Sequence, residues 1–402
     1  MSGRAVAGRV AAVVTGLCVV LAACAPPTPP PFPEAHDGGF DPDTAPSASD
    51  AAYAARGPYA VGVTTVEIEP GREMEVWYPA EPAAVAGMTA DEYHVRDFIA
   101  DLLDQLIPPG VDPVFDTGAY RDVAPAPGSD RPLVLFSHGA MSFRLQSTVL
   151  TTNLASWGFV VMSPDYFERG LQSLFGTPPA PTRSAGSVTQ LAMDTATGLD
   201  ATGSLAGQID VSRVFPIGHS AGGSQSTALA ADRTDVSSWI ALASGVNLTP
   251  SIFNLNPSVP EALSDPDKAV MWIGGQNDGV ARVSGVESAF LYSAGERKLV
   301  TIPGAGHNNA FSDLCEIGRD QGGLIGLATS GGLALPDFAI NLARDGCTVP
   351  PNFLSHDVWP VVNHFVTAEL RYRSGLDAVP VGLGTSVAAQ FGAVIPEYSH
   401  DE

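Results

Sequence analysis

Ser220 lies in a short pattern that is typical of a nucleophilic serine. The pattern Gly-His-Ser-Ala-Gly at 218–222 follows an apolar run at 214–217 and precedes a run of small residues. Gly-x-Ser-x-Gly between a strand and a helix predicts a nucleophile elbow, a tight turn that holds the serine hydroxyl out at the end of the sheet. Because the chain contains 42 glycines, the pattern can also arise by chance. Whether Ser220 is a nucleophile therefore depends on finding an acid and a histidine at suitable positions in the chain.

The partners that such a serine needs follow in the expected order along the chain. Asp278 comes directly after a predicted strand at 269–274, and His307 follows a predicted strand at 298–302. A serine, then an acid, then a histidine, each after a strand, is the chain order of the triad that accompanies such an elbow. A histidine can take and return the serine proton, and a carboxylate holds its tautomer. We therefore predict that Ser220, Asp278 and His307 act together.

Other acids and histidines are weaker candidates. Asp265 and Asp267 precede the same strand and remain alternatives to Asp278 as the acid. His219 lies inside the elbow, and we expect it to be structural. His138 follows the first buried strand, and we expect it to order the neighbouring loop rather than to act as the base.

The oxyanion site is predicted from two backbone amides. The amide of Ala221 opens the helix after the serine, and the amide of Ala140 follows the first buried strand. Two such donors stabilise the negative charge that develops on the carbonyl oxygen. Met141, Phe143 and Tyr166 lie nearby in the sequence and are candidates for apolar contacts with a substrate, with core packing as the alternative. We expect substrate choice to come from four loops, at 140–144, 165–186, 244–265 and 311–353.

Alternating apolar strands and helices from residue 131 onward predict the scaffold for these side chains. Continuous apolar strands separated by helices indicate a mostly parallel sheet covered by helices on both faces, a doubly wound α/β fold. Together with the elbow at 218–222, this arrangement resembles the α/β-hydrolase fold. The predicted strands are 133–137, 159–163, 213–217, 239–243, 269–274 and 298–302, and the predicted helices are 145–157, 187–205, 220–231, 283–293, 336–343 and 355–372.

The regions before and after this pattern are less regular. Strands are predicted at 59–68 and 74–78, and a helix at 91–107, where Phe98, Leu102, Leu103 and Leu106 share one side. Residues 311–353 interrupt the pattern as a C-terminal insertion or lid. We expect one catalytic domain at 57–374 and a C-terminal tail at 375–402.

The N-terminus predicts export. Arg4 and Arg9 precede an apolar run at 10–23 that is too short to span a bilayer. The run ends at Cys24, so residues 1–24 resemble a bacterial lipoprotein signal with Cys24 as the lipidated residue and membrane attachment through that lipid. An ordinary secretory signal is the alternative. Residues 25–56 are rich in proline and alanine, which indicates a linker.

Cys315 and Cys347 are the two cysteines that remain in the folded part. A pair of cysteines in an exported protein predicts a disulfide, with two free thiols as the alternative.

The charge of the chain excludes one class of partner. The formal net charge is −23, and such a surface repels nucleic acid and anionic membranes. The sequence contains no cluster with the spacing of metal ligands and no phosphate-binding glycine loop, so no metal and no cofactor are expected. The partner that we expect is a small-molecule or lipid ester, and the oligomeric state is left open.

Three segments carry a resemblance to a known family. Residues 132–144, the elbow at 218–223 and residues 304–311 resemble the plasma-type platelet-activating-factor acetylhydrolase branch of the α/β hydrolases. Residues 57–62 and 76–79 are also similar to bacterial dienelactone-hydrolase-like and cutinase-like esterases. The resemblance covers about residues 57–310 and implies ester hydrolysis without a cofactor.

The chain departs from the plasma-type pattern at the position of the acid. In that branch the acid follows the strand directly after the elbow helix, but residues 240–244 here contain no carboxylate. Asp278 lies one strand later, as in the bacterial esterases. We therefore interpret the chain as a serine carboxylic-ester hydrolase for short-chain, lipid-like or polyester substrates. A non-catalytic binding protein on the same scaffold, and a peptidase or thioesterase, are the alternatives.

Overall fold

The computed structural model describes residues 51–172, 179–246 and 260–401. This part of the chain forms twelve strands and eight α-helices. The strands are β1 Ala60–Glu69, β2 Arg72–Ala80, β3 Glu92–His94, β4 Val114–Asp116, β5 Tyr120–Arg121, β6 Arg131–Ser137, β7 Val160–Pro164, β8 Ile209–His219, β9 Ser238–Leu242, β10 Ala269–Gly275, β11 Arg297–Ile302 and β12 Glu397–Asp401. The helices are α1 Asp101–Asp104, α2 Thr148–Ser156, α3 Ala185–Ala201, α4 Ala221–Asp232, α5 Val283–Tyr292, α6 Gly323–Ser330, α7 Asp337–Arg344 and α8 Ser355–Ser374.

Ten of the described strands form one sheet. Their order across the sheet is β12-β11-β10-β9-β8-β6-β7-β2-β1-β5. The pairs from β7 through β6, β8, β9 and β10 to β11 are parallel, and antiparallel pairs join β1 to β2, β2 to β7 and β11 to β12. The carboxyl ends of the parallel strands therefore meet at one edge, where sites of doubly wound sheets lie.

Strand β6 shows why successive residues of the parallel strands are apolar. Val134 and Phe136 pack into one hydrophobic cluster together with Val361 of α8. Leu133 and Leu135 point to the other face and pack with Ala192 of α3. Since successive side chains of a strand point to opposite faces, a sheet covered on both faces needs apolar residues at every position. This confirms the predicted doubly wound α/β fold with a mostly parallel sheet.

The predicted helix at 91–107 is wrong. The segment begins with β3, which pairs with β4 as a second, two-stranded sheet. A short 3₁₀ helix, Val95–Phe98, and the single-turn helix α1 follow. Tyr93 and Phe98 are buried against Phe143 of the loop at 138–147, with the Phe98 and Phe143 rings 4.5 Å apart. Long-range aromatic packing thus overrides the local helical spacing.

The predicted linker extends too far along the chain. Tyr53 is fully buried, and its ring lies 4.8 Å from that of Trp157. Its amide donates to Nδ1 of the buried His364 in α8. Ordered structure therefore begins by residue 51 rather than at 57. The rest of the linker, the signal segment and Cys24 lie outside the described residues.

The C-terminal residues 375–401 also belong to the fold. Strand β12 pairs antiparallel with β11 and forms one edge of the large sheet. Val381, Val387 and Val394 are buried upstream of it. These residues therefore do not form the separate tail that is expected at 375–402. Strand β12 is mostly exposed, and it is held by its pairing with β11 and by the ring of Tyr398, which stacks on Phe365 of α8 at 5.7 Å.

The insertion at 311–353 contains α6 and α7 and is closed by the predicted disulfide. Cys315 and Cys347 are bonded, with their Cα atoms 4.9 Å apart. Asp313, at the start of the insertion, accepts hydrogen bonds from the amides of Thr148 and Val149 at the beginning of α2. The start of the insertion is thus anchored to α2. Across the described ranges, no helix has the length and apolar character to cross a membrane.

Candidate active site

Ser220 occupies a strained turn between β8 and α4. Its φ is 56° and its ψ is −120°, a region that residues other than glycine rarely adopt. The backbone is held there by hydrogen bonds from its amide to Leu242 O at 2.8 Å and from the Gly223 amide to its carbonyl at 2.9 Å. Such strain persists only where the surrounding structure imposes it, and it is common at functional sites.

The glycines of the elbow are required by close approach of the backbone. A Cβ on Gly218 would lie 2.1 Å from the carbonyl of Gly222, and a Cβ on Gly222 would lie 1.8 Å from Ser137 O. Both distances are far shorter than any real carbon contact, so larger side chains at these positions would force strand and helix apart. The structure therefore gives the motif at 218–222 a steric reason that chance occurrence would lack.

Asp278 and His307 form a buried hydrogen-bonded pair. His307 Nδ1 lies 2.8 Å from Asp278 Oδ2, and both side chains are essentially inaccessible to solvent. The other oxygen of Asp278 accepts from the amides of Val280 at 2.8 Å and Ala281 at 2.7 Å. Because an ionised carboxylate only accepts, Nδ1 carries the proton and Nε2 is left as an acceptor. Among the described residues, Nε2 of His307 has no hydrogen-bond partner.

The hydrogen bond between Asp265 and Asp267 does not involve His307. Asp265 is partly exposed and its carboxylate accepts from the amide of Asp267, which is exposed. Asp278 is the carboxylate that the described structure brings to the imidazole of His307.

A chain of three side-chain hydrogen bonds links the loops around Ser220. The amide of Gly139 donates to Gln146 Oε1 at 2.8 Å, and Gln146 Nε2 lies 2.9 Å from His219 Nδ1. His219 Nε2 then lies 2.9 Å from the carbonyl of His307. Burial and the neighbouring His307 lower the pKa of His219 well below its usual value, so it stays neutral. His219 is structural, as predicted, and it positions the His307 loop.

The two amides predicted for the oxyanion site are free. Neither the Ala140 amide nor the Ala221 amide donates to an acceptor within the described ranges. The loop is shaped by Met141, whose φ is 53° and whose amide donates to Arg169 O at 2.6 Å. His138 accepts from the amide of Tyr166 at 2.9 Å, and burial lowers the pKa of His138 to about 3. His138 therefore orders this loop and is poorly suited to act as a base.

A cavity opens beside Ser220 and His307. The empty space inside it, counted together with its open mouth, is about 640 Å³. One wall is the loop at 139–142, and the opposite wall comes largely from the insertion. The apolar lining residues of the insertion are Leu314, Leu324, Ile325, Ala328, Leu335, Ala339, Leu342 and Ala343.

Of the three residues predicted to contact a substrate, the structure brings one to the cavity. Met141 lines it next to Ser220. Phe143 is buried against Phe98, and Tyr166 is buried with its hydroxyl 3.0 Å from Ser137 Oγ. Phe143 and Tyr166 are therefore core residues, and their prediction as substrate contacts is wrong, because sequence proximity does not show to which face a side chain turns. Parts of two predicted substrate loops, 173–178 and 247–259, lie outside the described residues.

Sequence reasoning missed Gln146 and Asp345. Gln146 lies in a predicted helix, and no sequence signal distinguishes it from a surface glutamine. Asp345 accepts from the backbone amide of His307 at 2.7 Å. The proximity of Asp345 to Cys347 in the sequence is the one signal that could have drawn attention to it.

Within the described ranges, no group of three or more histidine, cysteine, aspartate or glutamate side chains could hold a metal ion.

Comparison with known proteins supports the family resemblance. A family model described as platelet-activating factor acetylhydrolase, isoform II, matches residues 47–169 of the 402 residues. No curated protein matches the chain. The matched segment contains the loop at 138–147 but ends before Ser220. The chain is therefore similar to this branch of the α/β hydrolases, and the match indicates an esterase- or lipase-type hydrolase.

Proposed function

We propose that this protein is a serine carboxylic-ester hydrolase in which Ser220, His307 and Asp278 form the catalytic triad. One observation carries the proposal: the buried His307–Asp278 pair lies beside a cavity that also contains Ser220 in its strained elbow. The free Nε2 of His307 is the atom that such a base presents to the serine.

The proposed reaction follows from this geometry. Ser220 Oγ bonds to the ester carbonyl carbon while its proton passes to His307 Nε2. The Ala140 and Ala221 amides donate to the carbonyl oxygen as it becomes negative. The bond between the carbonyl carbon and the alcohol oxygen then breaks as His307 gives the proton to that oxygen. The alcohol leaves, and the acyl group stays bonded to Ser220. Water then attacks the acyl carbon while its proton passes to His307. The bond to Ser220 Oγ breaks as His307 gives the proton to that oxygen, which releases the carboxylic acid and the free serine. Asp278 stabilises the imidazolium in both halves.

The cavity supports an apolar acyl group as the part of the substrate that enters it. The wall that the insertion contributes is made of leucine, isoleucine and alanine side chains. Burying a methylene there contributes about 0.8 kcal/mol, so an aliphatic acyl chain gains affinity with length until the cavity is full. We propose a short- or medium-chain ester rather than a charged acyl group.

A fluorophosphonate probe tests the catalytic proposal directly. Labelling of Ser220 in the folded protein, blocked by Ser220→Ala, is the expected result. A folded protein that does not label contradicts the enzyme proposal and favours a non-catalytic binding protein. Turnover of p-nitrophenyl acetate, butyrate and palmitate then measures chain-length preference, and a peptide or thioester panel tests the other acyl substrates.

We also propose that the protein is exported and attached to the membrane through Cys24. The basic residues Arg4 and Arg9, the apolar run at 10–23 and Cys24 support it, together with a disulfide that suits an oxidising compartment. Expression of the full chain with labelled palmitate should label wild type but not Cys24→Ala. Equal labelling of both forms, or of neither, would contradict lipidation at Cys24.

A further inference from the structure

Asp345 connects the two loops that carry the base and the acid. It follows α7 in the insertion and lies two residues before Cys347, which is bonded to Cys315. Its Oδ1 accepts from the backbone amide of His307 at 2.7 Å, and its Oδ2 accepts from the backbone amide of Gly279 at 3.0 Å. Gly279 is the direct neighbour of Asp278, so one carboxylate spans both loops.

The surrounding backbone is shaped to let Asp345 approach. A Cβ on Gly279 would lie 2.7 Å from Asp345 Oδ2, and a Cβ on Gly306 would lie 2.8 Å from Asp345 Oδ1. The carbonyl of Asp345 also accepts from the backbone and side-chain amides of Asn308, both at 3.1 Å. Two glycines and four hydrogen bonds thus fix the position of Asp345.

We propose that Asp345 is a positioning residue, by which the disulfide-closed insertion sets the distance between the His307 and Asp278 loops. This inference rests on the proposed ester hydrolysis. Asp345 touches the backbone of His307 rather than the reacting atoms, so it acts through His307. Misplacing a catalytic group by about 1 Å can lower turnover about a hundredfold.

The ionised form of Asp345 suits this position. Each oxygen receives one N–H donor, whereas a protonated carboxyl would turn its O–H toward one of those donors. Burial raises the pKa of Asp345, and the hydrogen bond from the His307 amide opposes that shift. The groups that face His307 are Asp278, Asp345 and the neutral His219. The charge of Asp345 therefore adds to that of Asp278 in stabilising the imidazolium.

The first test compares Asp345→Asn and Asp345→Ala with Asp337→Asn, which removes an exposed carboxylate from the same insertion. Asparagine keeps one acceptor and alanine keeps none. We expect kcat to fall about tenfold in Asp345→Asn and about a hundredfold in Asp345→Ala, with KM unchanged and Asp337→Asn like wild type. In Asp345→Asn the acidic limb of the kcat/KM profile should move to lower pH, because a negative charge beside the imidazolium is gone.

Two outcomes overturn the proposal. Unchanged kcat in both variants means that Asp345 does not position His307. A rise in KM alone, with an unshifted pH profile, means that Asp345 merely holds the cavity wall.

A second test does not depend on activity, and it separates failure of this proposal from failure of the proposed function. Proton NMR detects the Nδ1–H of an imidazole bonded to a carboxylate as a far-downfield resonance, assigned here by its loss in Asp278→Asn. If Asp345→Ala melts as a folded protein but loses this resonance, Asp345 positions the pair even if no ester is hydrolysed. If the resonance persists unchanged in the folded variant, the proposal is wrong.

Discussion

The strand-end loops and the insertion face each other across the same cavity, but they are built differently. Ser220 directly follows strand β8, and Asp278 and His307 lie in the loops that follow β10 and β11 of the same sheet. The insertion contributes no strand to that sheet, and its helices α6 and α7 are short and tied by one disulfide. The reactive groups thus lie on loops of the central sheet, whereas most of the apolar wall of the cavity belongs to the insertion.

This difference in construction predicts different effects of substitutions in the two regions. A parallel sheet places the ends of its strands at one edge with little freedom, so reactive groups there need only local turns to meet. The insertion has no such frame, and its position depends on contacts such as Asp313 with the start of α2. Substitutions in the sheet loops should therefore abolish chemistry. Substitutions in the insertion should change selectivity or stability, except at Asp345, which contacts the backbone of His307 and Gly279.

The largest effect is expected from Ser220→Ala. Loss of the nucleophile should lower kcat for p-nitrophenyl butyrate by about 10⁶-fold, the scale seen when a catalytic serine is removed. The melting temperature should not fall, because alanine leaves the elbow glycines in place. Measured turnover near the wild-type level in a folded variant would show that the nucleophile is another residue.

Asp278→Asn should come next. The amide cannot hold His307 in the tautomer that leaves Nε2 free, and such a change lowers kcat by about 10⁴-fold in serine hydrolases. Asp265→Asn is the matched control, since its carboxylate contacts the Asp267 amide rather than His307. A larger loss in Asp265→Asn than in Asp278→Asn would reassign the acid.

On the insertion side, Ala328→Leu should change selectivity rather than chemistry. Ala328 lines the cavity and is only partly buried, so leucine reduces the volume open to an acyl chain. We expect kcat/KM for the butyrate ester to fall about tenfold relative to the acetate ester, the scale of a lost methylene contact. Thr329→Leu, an exposed position on the same helix, is the control. Equal loss for both esters would place the acyl chain elsewhere.

The smallest effect on activity is expected from removing the disulfide. The bridge closes a separation of 32 residues, which corresponds to about 3–4 kcal/mol in the chain-entropy model. For a domain of this size that lowers the melting temperature by about 5 °C. Calorimetry of the Cys315→Ala/Cys347→Ala double variant checks this value. An unchanged melting temperature would mean that the insertion is held by its packing alone.

Regular elements were predicted well where one residue pattern dominates. The strands and helices from 131 to 302 were predicted within a few residues, because apolar runs and helical spacing both follow from burial in a doubly wound sheet. The segment at 91–107 was misread, since the packing of Tyr93 and Phe98 on Phe143 is a long-range effect. Strand β12 was missed because an exposed edge strand carries no apolar pattern.

The sequence by itself determined the scaffold and the candidate reactive residues. Gly218 and Gly222 identify the elbow, and the order of Ser220, Asp278 and His307 after three predicted strands is read directly from the sequence. Tertiary structure decided which carboxylate meets His307, that Phe143 and Tyr166 turn into the core, and that Asp345 bridges the two loops. These features depend on side-chain direction and on contacts between segments far apart in the chain. Neither is encoded in local spacing, because the same loop residues can turn toward a cavity or away from it.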